Sequence, residues 1–167
     1  LYAHAVAGRK WLDADEQRAW TGLIAVTTLL DAALDQQLQR DAGISHATFT
    51  ILTALSQAPR RMRHMSDLAI LTSSSQSRLS HAVARLEEAG WVRRARCPED
   101  KRQVDARLTE AGLAVLKQAA PGHVRRVREL VFDRLDRDQI DRLAEITATL
   151  VDSLADAGFA SPLPRAE

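Results

Sequence analysis

The stretch from Ser66 to Thr109 limits the fold more than any other part of the chain. It reads as a short helix, a longer helix with a polar outer face, and a charged hairpin, Trp91-Val-Arg-Arg-Ala-Arg-Cys-Pro-Glu-Asp-Lys-Arg-Gln-Val-Asp-Ala-Arg-Leu108. In the longer helix Ser75 is placed to act as N-cap and Gly90 to supply a left-handed residue after the last turn, so the helix is expected over about Gln76 to Ala89. Leu79, Ala82, Val83 and Leu86 follow helical spacing and must face inward. Ser77, Ser80, His81, Ala84 and Arg85 are then turned outward. Near its start this outer face has no bulky apolar residue, and Gln76, Arg78 and His81 offer hydrogen-bond donors. By itself the pattern fits an ordinary solvated helix face as well as one that reads a groove.

The hairpin shifts that balance. Val104, Ala106 and Leu108 alternate with Asp105 and Arg107, the period of a strand with one buried face, and Trp91 and Val92 open its partner. Pro98 and the run Glu99-Asp100-Lys101-Arg102 suit a tip, where a missing N–H does no harm. Residues 60–107 hold eleven Lys+Arg and six Asp+Glu, net +5, leaving the rest of the chain at net −4 within a total of +1. One basic region beside an acidic body is the charge pattern of a nucleic-acid face. A helix of this kind fits a DNA major groove, and a basic hairpin beside it can follow the neighbouring backbone or minor groove. The candidate contacts are Ser75, Gln76, Ser77, Arg78, Ser80, His81 and Arg85 from the helix, with Arg94, Arg96, Lys101 and Arg102 from the hairpin.

Helices are expected on both flanks. Asp13 and Glu16 form a capping-box pattern ahead of Trp20, Leu23, Ile24, Thr27, Leu30, Leu34 and Leu38, a long helix ending near Gly43. Ser45 caps a shorter helix with Phe49, Leu52 and Leu55 inside, closed by Pro59 and a basic link, Arg60-Arg61-Met62-Arg63. After the hairpin Thr109 opens a helix in which Pro121-Gly122 predicts a kink or break; it resumes through Val124, Val127, Leu130, Val131 and Leu135. Asp136 and Gln139 then cap a last helix with Ile140, Leu143, Ile146, Leu150 and Leu154 on one face. These flanks are more apolar than a small core can cover, and a two-fold dimer is the economical way to bury them.

At 167 residues, 46% hydrophobic and 27% charged, the composition suits one globular domain. There is no apolar run long enough for a membrane span and no visible targeting pattern. A single cysteine excludes an intramolecular disulfide and makes the cytoplasm the expected setting. His4, His46, His64, His81 and His123 form no metal-ligand spacing, so neither metal nor cofactor is expected. Cys97 lies near Arg94, Arg96 and Lys101, which would favour its thiolate, so a redox switch is one alternative and a passive strand-end residue the other. Nothing in the chain has the pattern of a nucleophile elbow, a phosphate-binding glycine loop or a carboxylate pair, which argues against an enzyme.

The strings Met65-Ser-Asp-Leu-Ala, Ser75-Gln-Ser-Arg-Leu-Ser-His-Ala-Val-Ala-Arg-Leu-Glu-Glu-Ala-Gly-Trp-Val, Cys97-Pro-Glu-Asp-Lys-Arg and Ala106-Arg-Leu-Thr-Glu-Ala-Gly112 resemble the MarR family of winged-helix transcriptional regulators, from about Trp11 to Leu154. The resemblance implies a mainly α fold with a small β-wing: a single MarR-like domain over 1–167, with a DNA-binding part at about 44–109, dimerisation helices at about 11–42 and 110–157, and an irregular tail at 158–167. It implies a homodimeric repressor or activator on an inverted-repeat duplex operator, often released by a small, frequently aromatic, acidic ligand; for this chain a repressor is the expected role. The family's wing aspartate and arginine fall on Asp100, which would brace the wing, and Arg102, which would enter the minor groove. Its effector pocket commonly lies where the first, second and fifth helices meet the winged part, pointing to Trp20, Ile24, His46 and Phe49, with Arg18 as a countercharge. Peroxide-sensing relatives carry their cysteine near the first helix, where this chain has none. The alternatives kept open are a redox-responsive regulator using Cys97 and a helical interaction module that does not read DNA.

Overall fold

The computed structural model describes residues 11–96 and 103–160. Two compact units divide the chain, residues 1–33 and 34–167, and helix α1 (Ala14–Ala42) starts in the first and ends in the second. Within the first unit the expected capping box forms. Asp13 Oδ1 accepts the N–H groups of Asp15 and Glu16, each at 2.9 Å, while Glu16 Oε2 accepts the Asp13 N–H at 2.8 Å. Four donors are left free at any helix start, and this exchange satisfies several of them at the first turn. Trp20, Leu23, Ile24, Val26 and Leu29 of this unit are exposed.

The second unit holds the core. The end of α1 buries Leu34, Gln37 and Leu38, and Gly43 at φ +66 stops the helix. Ser45 caps α2 (His46–Ser56), accepting the Thr48 N–H. Then come β1 (Met62–His64), α3 (Met65–Leu71), α4 (Gln76–Glu88), β2 (Val92–Arg96), β3 (Val104–Leu108), α5 (Glu110–Leu130) and α6 (Arg137–Asp156). Leu38, Leu52, Leu55, Leu68, Leu79, Val83 and Val92 are fully buried, so α1, α2, α3, α4 and the sheet share one apolar centre. Burying each such side chain contributes roughly 1.5–3 kcal/mol, which is what holds α4 in place.

Three features depart from expectation. The basic link Arg60-Arg61-Met62-Arg63 is not a loop. Pro59–Arg61 makes a 3-10 turn with Arg60 and Arg61 both at φ 54, a costly conformation for non-glycine residues, and the chain then enters β1. β1 pairs antiparallel with β3, Met62 opposite Arg107 and His64 opposite Asp105, giving the sheet order β1-β3-β2. A strand of three residues is too short to show a period of two.

That third strand explains the second departure. Asp105, expected to face solvent, is buried, because β3 is central and His64 of β1 covers its carboxylate with a hydrogen bond from the ring. Val104, expected inside, is exposed; it pairs with Arg96 at the far end of the hairpin. Third, α5 passes through Pro121-Gly122 without a break. Proline deletes the hydrogen bond to the Lys117 carbonyl, but Pro121 and Lys117 are both exposed, so water can serve the freed carbonyl. The helix ends at Leu130, and Phe132–Arg134 form a 3-10 turn before α6. The expected Asp136–Gln139 capping box is present. α6 buries no residue, and Leu143, Ile146, Leu150 and Leu154 stand exposed along it. Among the described residues no helix is long and apolar enough to cross a membrane.

Candidate nucleic-acid interface

α4 is presented as the apolar spacing requires. Leu79, Val83 and Leu86 are buried, whereas Ser75, Gln76, Ser77, Arg78, Ser80, His81 and Arg85 are all exposed. Ser75 has extended backbone and its side chain accepts the Arg78 N–H at 3.3 Å, which fixes the first turn of the helix at its most polar end. Gly90, at φ +74, then turns the chain into β2. Neither Arg78 nor Arg85 has an acidic partner among the described residues. An exposed row of hydroxyls, an amide, an imidazole and two unpaired guanidiniums is an arrangement that donates hydrogen bonds and attracts anions.

Of the hairpin candidates, Arg96 is exposed near the far end of β2. Cys97, Asp100, Lys101 and Arg102 lie outside the described residues. Arg94 is engaged within the fold. Its backbone N–H donates to Glu87 Oε1 at 3.0 Å, and its guanidinium reaches Glu87 Oε2 at 2.7 and 2.8 Å. The Arg94 N–H first, and then the guanidinium, hold the Glu87 carboxyl below the usual carboxylate range. This contact ties the last turn of α4 to the first strand of the hairpin, so helix and wing are set at one angle. The sequence contains both residues but not the pairing, which depends on how tightly the Gly90 turn folds back.

The effector candidates divide between the two units. In the first, Arg18 pairs with Asp15 at 2.7 Å, and Trp20 and Ile24 are exposed one turn apart on α1. In the second, Phe49 is buried, and its ring centre lies 4.3 Å from that of His123, a residue of α5 that stacks on His46 at 5.7 Å. Burial first, and the neighbouring His46 second, push the His123 pKa down. His123 Nδ1 and Gln37 Oε1 are buried without a hydrogen-bond partner. His123 was no candidate on sequence, because nothing in its own helix marks it; only the approach of α5 to α2 brings it to Phe49.

Other pairings also came from the fold alone. His64 with Asp105, and the opposition of Arg93 to Arg107 across the hairpin, follow from the strand registers of β1 with β3 and of β2 with β3. Among the described residues no three His, Cys, Asp or Glu side chains group as metal ligands would.

Helices α3 and α4, joined by a tight turn and followed by the β2–β3 hairpin, to which β1 adds a third strand, define a winged helix-turn-helix protein. The MarR family model matches residues 42–103. The HTH-type transcriptional regulator PecS of Dickeya dadantii is 30% identical over 122 residues, 72% of each chain. The transcriptional repressor MprA of Escherichia coli is 27% identical over 112 residues, 67% of this chain and 63% of that one. Among solved structures, Sco3205, a MarR family transcriptional regulator from Streptomyces coelicolor in complex with DNA, superposes with a TM-score of 0.82 at 50% identity, covering 86% of this chain and 94% of that one. AbsC, a MarR family regulator from the same organism, gives 0.83 at 36% identity over 89% and 99%. The chain belongs to the MarR family of transcriptional regulators, a family that is not enzymatic.

Proposed function

We propose that this protein is a homodimeric, sequence-specific DNA-binding repressor in which α4 lies in the major groove and the wing reaches the adjacent backbone and minor groove. The observation that carries this reading is the exposed polar face of α4, from Ser75 to Arg85, held on a buried stripe of Leu79, Val83 and Leu86 and tied to the wing through Glu87 and Arg94. A rigid helix with donors at its N-terminal end suits base edges, and unpaired arginines suit phosphates. Ser75, Gln76, Ser77, Arg78, Ser80 and His81 are the proposed groove contacts. Arg85, Arg96, Lys101 and Arg102 are the proposed backbone and minor-groove contacts, with Asp100 bracing the wing. Support also comes from Sco3205, solved with DNA, and from MprA, named a repressor.

The dimer reading rests on two apolar stripes, each exposed on its own unit: Trp20 and Ile24 on α1, and Leu143, Ile146, Leu150 and Leu154 on α6. A two-fold partner would cover such surfaces and set two α4 helices about 34 Å apart, so the site is an inverted repeat. Release by a small aromatic acid is the regulatory part. Such a ligand acts only by binding one dimer geometry better than the other. In the second unit the residues to test for it are His46, Phe49 and their neighbour His123; in the first they are Arg18, Trp20 and Ile24.

In vitro site selection with the wild type and with Gln76→Ala, Arg78→Ala and His81→Ala tests the DNA reading. Wild type should enrich an inverted repeat, and each variant should lose preference at particular positions. No enrichment by the wild type, or identical sequence preferences for all four proteins, would reject it. Light scattering should give twice the chain mass.

A further inference from the structure

The wing has a second basic feature on its other face. Arg93 of β2 stands directly opposite Arg107 of β3. Residues two apart share a strand face, so these two arginines lie on the side that carries Ala95 and Asp105, the reverse of the side that carries Arg94, Ala106 and the buried Val92 and Leu108. Like charges at directly opposed sheet positions are destabilising. The acids nearby are committed elsewhere: Asp105 to His64, Glu87 to Arg94, and Glu110 to Arg61 at 2.6 Å. Neither Arg93 nor Arg107 has an acidic partner among the described residues.

Both arginines line one cleft of about 470 Å³, together with Gly90, Leu108, Thr109 and the start of α5 at Glu110 and Ala111. No side chain at Gly90 obstructs it. The backbone N–H groups of Glu110 and Ala111 have no acceptor among the described residues, since the Thr109 side chain takes that of Gly112. The cleft therefore joins two guanidiniums without acidic partners to the free N–H groups of Glu110 and Ala111, and the carboxylate in its lining, that of Glu110, is neutralised by Arg61. We propose that Arg93 and Arg107 form an oxyanion site for a phosphate group, separate from the groove-reading face of α4. Planar guanidinium forks match phosphate oxygens in pairs, and a bound phosphate removes the repulsion between the two cations. The phosphate has two possible sources, the backbone of DNA flanking the inverted repeat or a free phosphate-bearing small molecule. The first source rests on the DNA-binding reading above; the second does not.

The double variant Arg93→Gln/Arg107→Gln separates them. Three measurements are made on the wild type and the variant in phosphate-free buffer: thermal melting, calorimetric titration with inorganic pyrophosphate, and affinity for two duplexes across a salt series. One duplex is the inverted repeat selected by the wild type, and the other carries ten further base pairs on each side. The variant should melt at or above the wild type, because a like-charge pair has been removed, so lost binding is not unfolding. If DNA supplies the phosphate, the variant binds the longer duplex at least about tenfold more weakly, with a salt slope lower by about one per protomer, and the shorter duplex unchanged. If a free anion supplies it, pyrophosphate binds the wild type and not the variant, and both duplexes bind alike. Wild-type behaviour in both titrations overturns the site, and so does a variant that melts lower than the wild type. Should the wild type select no sequence at all, the DNA reading fails alone, and the pyrophosphate titration still decides the anion site.

Discussion

Gly112, the third residue of α5, gives the sharpest test of how the wing is joined to the helices. A Cβ added there would lie 2.2 Å from the backbone oxygen of Trp91, 3.0 Å from the Trp91 carbonyl carbon and 2.8 Å from Leu108 Cδ1. In an open helix Gly→Ala stabilises by about 0.8–1 kcal/mol. Here the oxygen must retreat by roughly 1 Å to reach ordinary contact. It cannot do so freely, because it accepts the Thr109 N–H at 3.0 Å and shares the Thr109 hydroxyl, at 3.0 Å, with the Gly90 oxygen at 2.8 Å. Losing the N–H bond costs about 1 kcal/mol and the shared hydroxyl bond less, and the strain of forcing a methyl into a packed site adds about 1–3 kcal/mol. Against the helix gain, Gly112→Ala should lose roughly 3 kcal/mol and lower the midpoint of thermal unfolding by on the order of 10 °C. Gly22 supplies the internal control. It lies inside α1 with nothing within 4 Å of an added Cβ, so Gly22→Ala should stabilise slightly. Melting followed by far-UV circular dichroism measures both. A Gly112→Ala protein as stable as the wild type would refute the packing argument and the Trp91–Thr109 junction on which it rests.

Further outcomes follow from the same contacts. Arg94→Ala should cost about 0.5–1 kcal/mol, because the Glu87 pair is more than a third exposed on the glutamate side; Glu87→Gln should weaken it less, and urea titration of both checks the order. Since Glu87 has a lowered pKa when folded, its contribution is present above the ordinary glutamate range and is lost as pH falls through the folded value; Glu87→Gln should flatten stability there. His123 works at higher pH. Its folded pKa lies below the ordinary value near 6.5, so the unfolded chain takes up the proton first and stability declines as pH falls below about 6.5. Melting temperatures from pH 7.5 to 5 should fall less in His123→Gln than in the wild type, and parallel curves would remove His123 as a cause. Asp105→Ala should destabilise by about 0.5–1.5 kcal/mol, since it removes the hydrogen bond to His64 while leaving that partly exposed ring free to turn to water; chemical denaturation that finds no loss would count against the hydrogen bond.

The helices, their caps and the face that α4 presents were legible in the sequence. Ser45, Ser75, Thr109 and Asp136 all cap as their spacing predicts, because a cap bonds to N–H groups only three residues away and needs no partner from elsewhere. The buried set Leu79, Val83 and Leu86 was equally readable, since a 3.6-residue period forces those side chains to one side whatever they pack against. The wing motif too was visible as a string, though Asp100 and Arg102 lie outside the described residues.

What needed the tertiary structure depends on elements distant in the chain. β1 is short and became a strand only because β3 offered it a free edge; that pairing in turn buried Asp105, which alternation alone had turned to solvent. Pro121 does not break α5, because whether a lost hydrogen bond is harmful depends on whether water reaches the freed carbonyl. Glu87 with Arg94, His123 with Phe49 and Arg93 opposite Arg107 are likewise matters of register and approach. Local sequence determined which residues form each element and which face each helix buries, because those forces act within a turn of the chain. Only the fold decided which charges meet and which are left unpaired, because that depends on long-range packing that the spacing of residues along one element does not encode.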